Sequence, residues 1–212
     1  MVAAALACLL AAAATAQTLP PHHHGFGDAA EWAKVFDDPE RDGWQRPDEV
    51  IRALRLAPGA QVADIGAGTG YFTVRIARAV PGGHVYAEDI EPDMVRYVAE
   101  RARREGLANV TALLGAPDDP RLPVAVDRVL VVDTYHHIEA RVAYFRRLQR
   151  LLKPDAEVAI VDFTRQSPMG PPPAMRLNPD AVKVEMARAG YVSAGELALP
   201  NQYLLLFRPR KP

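Results

Sequence analysis

Between Val62 and Tyr71 the chain reads Val-Ala-Asp-Ile-Gly-Ala-Gly-Thr-Gly-Tyr, a short apolar run feeding a glycine-lined turn that opens a helix. A strand, turn and helix of this kind is where an α/β sheet receives a nucleotide-like cofactor. Glycines at 66, 68 and 70 tolerate positive φ and carry no Cβ, so a ligand can lie against the main chain. The turn also aims helix N–H groups at a carboxylate. A dinucleotide fingerprint is spaced G-x-G-x-x-G, whereas this chain has G-x-G-x-G, with Tyr71 in the place of the third glycine. That spacing disfavours nicotinamide. A tight turn that needs small residues and binds nothing would explain the glycines alone, but an acid further along shifts the balance.

Asp89 stands nineteen positions after Gly70, at the end of the strand-like run from Gly83 to Ile90. About 20 residues is the spacing at which a second strand delivers a carboxylate to a ribose. Glu88 is the rival, but neighbouring side chains on a strand point to opposite faces, and Glu88 reads as a solvated strand-end acid.

These residues resemble class I S-adenosylmethionine-dependent methyltransferases. The glycine segment is similar to their first motif, and Asp89, Ile90, Pro92 and Met94 match a V-D-I-x-P-x-M pattern. The resemblance implies S-adenosylmethionine as cofactor, held by Asp64, Gly66, Ala67, Gly68, Gly70, Tyr71, Asp89, Ile90 and Met94. It also places an acid for the adenine amino group in Gly115 to Pro120, where Asp118 and Asp119 both fit and Asp118 is preferred. Asp133 completes the implied cofactor set. The segment Asp133-Thr134-Tyr135-His136-His137-Ile138 resembles the fourth motif of the ubiquinone/menaquinone-type C-methyltransferases. Methyl transfer is a displacement in which the protein positions the nucleophile and removes one proton. Imidazole suits that proton removal. His136, His137 and Tyr135 are therefore the catalytic candidates, with His136 weighted slightly above His137.

From Gln61 onward strands and helices alternate, as in a parallel sheet with helices on both faces. Strands are expected at 110–114, 126–132 and 157–163, with helices at 70–80, 92–105, 141–152 and 179–189. Runs 191–199 and 202–207 resemble the antiparallel hairpin that closes the methyltransferase sheet. The expected fold is thus a doubly wound, mostly parallel, seven-stranded α/β sheet, a Rossmann-like methyltransferase domain over residues 47–212. Ahead of it, 17–46 reads as a linker with a cover helix, whose Trp32, Phe36 and Trp44 are candidates for pocket walls as well as for core packing.

With 212 residues, 49% hydrophobic, the chain has room for one full-sized domain and no second. A net charge of −1 leaves no electrostatic footprint for nucleic acid, and the resemblance implies a small-molecule partner. Val2 to Ala16 is an apolar run ending Ala14-Thr15-Ala16, which matches a signal peptide cut after Ala16, although no Lys or Arg precedes it. That leader predicts an exported or periplasmic protein with no membrane span in the mature chain; without it the protein is cytoplasmic. Cys8, the one cysteine, falls inside the run, so the mature chain has no thiol for catalysis or for holding arsenic. His22, His23 and His24 read as polar loop, and no metal is expected. Two other functions fit the same features: a nicotinamide-dependent oxidoreductase, which the glycine spacing disfavours, and an exported ligand-binding protein that keeps the fold.

Overall fold

A computed structural model describes residues 28–210. The leader, Cys8 and the three consecutive histidines lie outside the described residues.

Strand β1 (Gln61–Ile65) runs into helix α4 (Tyr71–Ala79), preceded by three short helices, α1 (Ala29–Phe36), α2 (Arg41–Gln45) and α3 (Pro47–Ala53). Strand β2 (His84–Asp89), helix α5 (Pro92–Arg104), β3 (Val110–Leu114) and β4 (Val126–Val132) follow. Helix α6 (Arg141–Leu148), β5 (Leu152–Phe163), α7 (Pro179–Arg188), β6 (Tyr191–Ala198) and β7 (Gln202–Pro209) complete the chain. The sheet order is β3-β2-β1-β4-β5-β7-β6. Strands β1 to β5 are parallel, and β7 is antiparallel to both β5 and β6.

Apolar runs on the inner strands are continuous because both sheet faces are covered. On β5, Val158 and Ile160 join Phe145 of α6 and Met186 of α7 in one core, while Ala159 and Val161 join Val50 of α3 and Ile76 of α4 in the other. Asn178 caps α7 by accepting from the Asp180 N–H, and Asp28 caps α1 through Glu31. The largest boundary difference from expectation lies between α6 and β5. The helix read as 141–152 stops at Leu148, and after a short 3-10 turn Leu152 already starts β5, where it pairs with Val126. Strand pairing thus claims the last residues of an amphipathic run.

The order places β1 between β2 and β4, so chain connections leave the sheet in opposite directions at the β1/β4 boundary. That switch point, at the carboxyl ends of the strands, is where open α/β sheets bind ligands.

Candidate active site

All three loop glycines adopt left-handed φ, at +70° for Gly66, +55° for Gly68 and +84° for Gly70. Their surroundings separate their roles. A Cβ on Gly66 would run into the Thr134 side chain, and one on Gly70 would lie 2.6 Å from Val98 Cγ2. Those two glycines let the turn pack. Gly68 would meet only the Phe36 ring of α1, at 3.6 Å, so its free side is the one open to a ligand. Gly66, Ala67 and Gly68 are half-exposed, while Thr69 and Gly70 are buried.

Asp89 reaches back from β2 to this open side. Its Oδ2 accepts from the Gly68 N–H at 2.8 Å and its Oδ1 from the Glu91 N–H at 3.0 Å. Burial pushes the carboxyl up, and those backbone donors pull it part of the way back. Ile90 beside it is exposed and offers an apolar face. Asp64 is buried under the loop, accepts from Thr73 Oγ1 at 2.6 Å, and is pushed up to about 6 by desolvation.

Helices α1 and α2 cover the loop. Asp37 accepts from Thr69 Oγ1 at 3.1 Å and pairs with Arg101 at 2.7 Å, and Arg101 also donates to the Thr69 carbonyl. Tyr71 donates its hydroxyl to Asp42 and lies between the guanidiniums of Arg41 and Arg75, 4.1 and 4.0 Å from its ring centre. Tyr71 is therefore a fastener for the cover. Trp44 of α2 packs on Phe163 at 5.8 Å, and Trp32 stacks on Phe36 at 5.2 Å.

At the end of β4, Asp133 takes a left-handed φ of +55°, rare for a residue with a side chain. Gln202 of β7 donates to its Oδ1 and in turn accepts from Gln45 of α2. Arg41 Nη2 stands 3.6 Å from its Oδ2. Desolvation outweighs Arg41 and pushes the Asp133 carboxyl up to about 7. Burial in turn holds the Arg41 guanidinium below its ordinary range, with Asp133 pulling the other way. Arg41 also donates to the Phe36 carbonyl at 2.7 Å and to Gln45 at 3.0 Å.

A 3-10 turn over Tyr135–His137 then splits the catalytic candidates. His136 places Nδ1 3.0 Å from both oxygens of Asp162, a fully buried carboxylate one residue before the end of β5. His137 is exposed, its ring 4.2 Å from that of His136. Tyr135 turns into the core, where it packs on Phe145 and donates to Glu185 of α7 at 2.8 Å. Its phenol, raised by burial, does not join the histidines.

Three other candidates lie in the core or at the surface, and the reading of Glu88 is corrected. Met94 is a core residue of α5, 1% exposed. Asp118 sits at the tip of a turn closed by reciprocal Ala116 and Asp119 backbone bonds, which puts it in solvent and pairs it with Arg147 at 2.7 Å. Asp119 is half-exposed, with Oδ1 bound to the Arg121 N–H at 2.8 Å and Oδ2 3.5 Å from Arg147. Glu88 is not solvated. It is buried against Gly115, which has no side chain to displace it, and its carboxyl lies well above the usual range through desolvation and then Asp89. Its Oε1 and the Tyr203 hydroxyl are buried without a hydrogen-bond partner among the described residues. Asp162, Arg41, Gln45 and Gln202 were missed from sequence. Asp162 carried a signal, as an acid ending a buried strand one place along the sheet from Asp133.

A glycine loop at the switch point, with its open side facing a backbone-anchored carboxylate of the next strand, defines the cofactor edge of a Rossmann-like α/β protein. Residues 56–195 match the methyltransferase domain family, and the chain belongs to it. The fold and cofactor are those of class I S-adenosylmethionine-dependent methyltransferases. A solved S-adenosylmethionine-dependent methyltransferase from Aquifex aeolicus is 27% identical, covers 85% of this chain and 97% of its own, and superposes with a TM-score of 0.78. An arsenite methyltransferase of Halobacterium salinarum is 31% identical over 141 residues, 65% of this chain and 35% of that protein. The ubiquinone/menaquinone biosynthesis C-methyltransferase UbiE of Bordetella parapertussis is 32% identical over 124 residues, 58% of this chain and 48% of that protein. The chain thus spans half or less of the length of these two curated relatives. Among the described residues no helix is long and apolar enough to cross a membrane.

Proposed function

We propose that the chain transfers the methyl group of S-adenosylmethionine to a small, largely hydrophobic acceptor, with His136 as the proton acceptor. The observation that carries this reading is the position of His136, backed by Asp162 at the carboxyl ends of β4 and β5, on the same sheet edge as the glycine loop. Bound cofactor supplies an electrophilic methyl on a sulfonium. The open face of Gly66 to Gly68 and the Asp89 carboxylate would hold it, Asp89 toward the ribose hydroxyls. The proton that the acceptor gives up on methylation would pass to the His136 imidazole. The contact of Trp44 with Phe163, the residue after Asp162, supports a hydrophobic acceptor over a charged one.

No cysteine stands among the described residues, which argues against arsenite as the acceptor. Neither the oxidoreductase nor the binding-protein reading gains a specific observation. The test is a panel of quinols, phenols, amines and thiols with release of S-adenosylhomocysteine as readout. Turnover on a hydrophobic hydroxyl compound, lost in His136→Ala with S-adenosylhomocysteine affinity kept, is the expected result. Cofactor binding without turnover on any of them would favour a binding protein.

A further inference from the structure

Asp162 is fully buried at the end of β5, and nothing in the chain's own strand pattern requires an acid there. Its Oδ1 accepts from the Phe163 N–H at 2.8 Å, which fixes the carboxylate plane against the strand. Both oxygens then lie 3.0 Å from Nδ1 of His136, whose side chain is 3% exposed. An ionised carboxylate only accepts hydrogen bonds, so the ring nitrogen facing it must carry a proton. A neutral imidazole has one proton, and once it is at Nδ1 the opposite nitrogen, Nε2, is left as a lone-pair base.

We infer that Asp162 is a positioning residue: it holds His136 in the Nδ1–H tautomer, so that Nε2 is the atom that receives the acceptor's proton. This rests on His136 being the base proposed above. The charged and polar neighbours are consistent with that arrangement. Asp133 at the end of β4 is engaged by Gln202 and approached by Arg41, leaving Asp162 as the carboxylate on the ring. Tyr203 of β7, the register partner of Asp162, has a buried hydroxyl that donates to neither carboxylate and has no partner among the described residues. His137 contacts the ring through its own ring, 4.2 Å away. In the balanced step the acceptor's proton ends on Nε2, giving an imidazolium whose second N–H stays on Asp162 and whose charge that carboxylate offsets.

The experiment is heteronuclear NMR of the full chain labelled with 15N-histidine, at a pH where the rings are neutral, with the His136 signals assigned by their loss in His136→Gln. The expected result is a protonated Nδ1 and an unprotonated Nε2 for His136. Asp162→Asn, whose amide can donate to Nδ1, should move the proton to Nε2. With an acceptor in hand it should also lower kcat by about 10² or more at unchanged S-adenosylhomocysteine affinity. An Nε2–H tautomer in the unmutated protein overturns the inference, and that measurement stands even if Asp162→Asn fails to fold. An Asn variant that keeps the Nδ1–H form overturns it as well. Calorimetry with S-adenosylhomocysteine on the same sample separates the two levels: lost cofactor binding sinks the methyltransferase reading, whereas a wrong tautomer sinks only the role of Asp162.

Discussion

Asp133 holds its proton to about pH 7 in the folded protein because desolvation there exceeds the pull of Arg41. In the unfolded chain the same carboxyl ionises near its ordinary value of 3.8. Between those two values the folded state binds more protons than the unfolded state, so this group makes stability fall as pH rises from about 4 to about 7 and level off above. A rise from 3.8 to about 7 corresponds to roughly 4 kcal/mol. Asn is close to isosteric with the protonated acid and keeps an Oδ1 for Gln202. Asp133→Asn should therefore stabilise the protein at pH 8 by about 3 kcal/mol, allowing for relaxation and water around the carboxylate, with little change at pH 4.5. For a domain of this size that is a rise in melting temperature of about 6–12 °C at pH 8. Thermal melts at the two pH values read it directly. An Asn variant less stable at pH 8, or one with the same gap between pH 4.5 and pH 8 as the unmutated protein, would refute the reasoning, because the carboxylate would then be stabilised by its surroundings.

Gly66→Ala should cost about 2 kcal/mol or more in urea unfolding, since φ is +70° and the new methyl meets Thr134; a variant of unchanged stability would mean the turn relaxes freely. Tyr135→Phe should lose about 1–2 kcal/mol from the hydrogen bond to Glu185 and leave S-adenosylhomocysteine affinity unchanged. A hundredfold loss of turnover without loss of stability would return that phenol to the chemistry. Asp118→Ala should leave S-adenosylhomocysteine affinity unaltered, because its ion pair is exposed, whereas Asp89→Ala should weaken it by roughly tenfold or more. Isothermal calorimetry of the pair distinguishes the two acids.

Local signals carried the fold. Glycines 66, 68 and 70 and the strand–helix alternation sit in contiguous sequence, and the acid at 89 follows at a fixed crossover length. What escaped depends on contacts between distant segments. Gln202 reaches Asp133 because β7 inserts antiparallel beside β5, and Arg41 arrives there from a five-residue helix that contains Gly43 and has no clear periodicity. Period-two alternation separated Glu88 from Asp89 correctly but could not tell solvent from core on the far face, where the missing Cβ of Gly115 makes room for the acid. Strand continuation from Asp133 would have grouped Tyr135 with the histidines, and the 3-10 turn rotates it inward instead. Turn chemistry, read correctly as Asp-rich before Pro120, put Asp118 at a solvent-facing tip, paired with Arg147.

The central claim is that the open side of the glycine loop, with Asp89, takes the adenosyl cofactor. Calorimetric titration of the protein with S-adenosylmethionine, S-adenosylhomocysteine and NAD side by side tests it most directly. Saturable binding of the two adenosyl-sulfur compounds, weakened in Asp89→Ala, with no heat from NAD, is the predicted result. Binding of NAD with none of the other two would contradict the account and return the loop to dinucleotide chemistry.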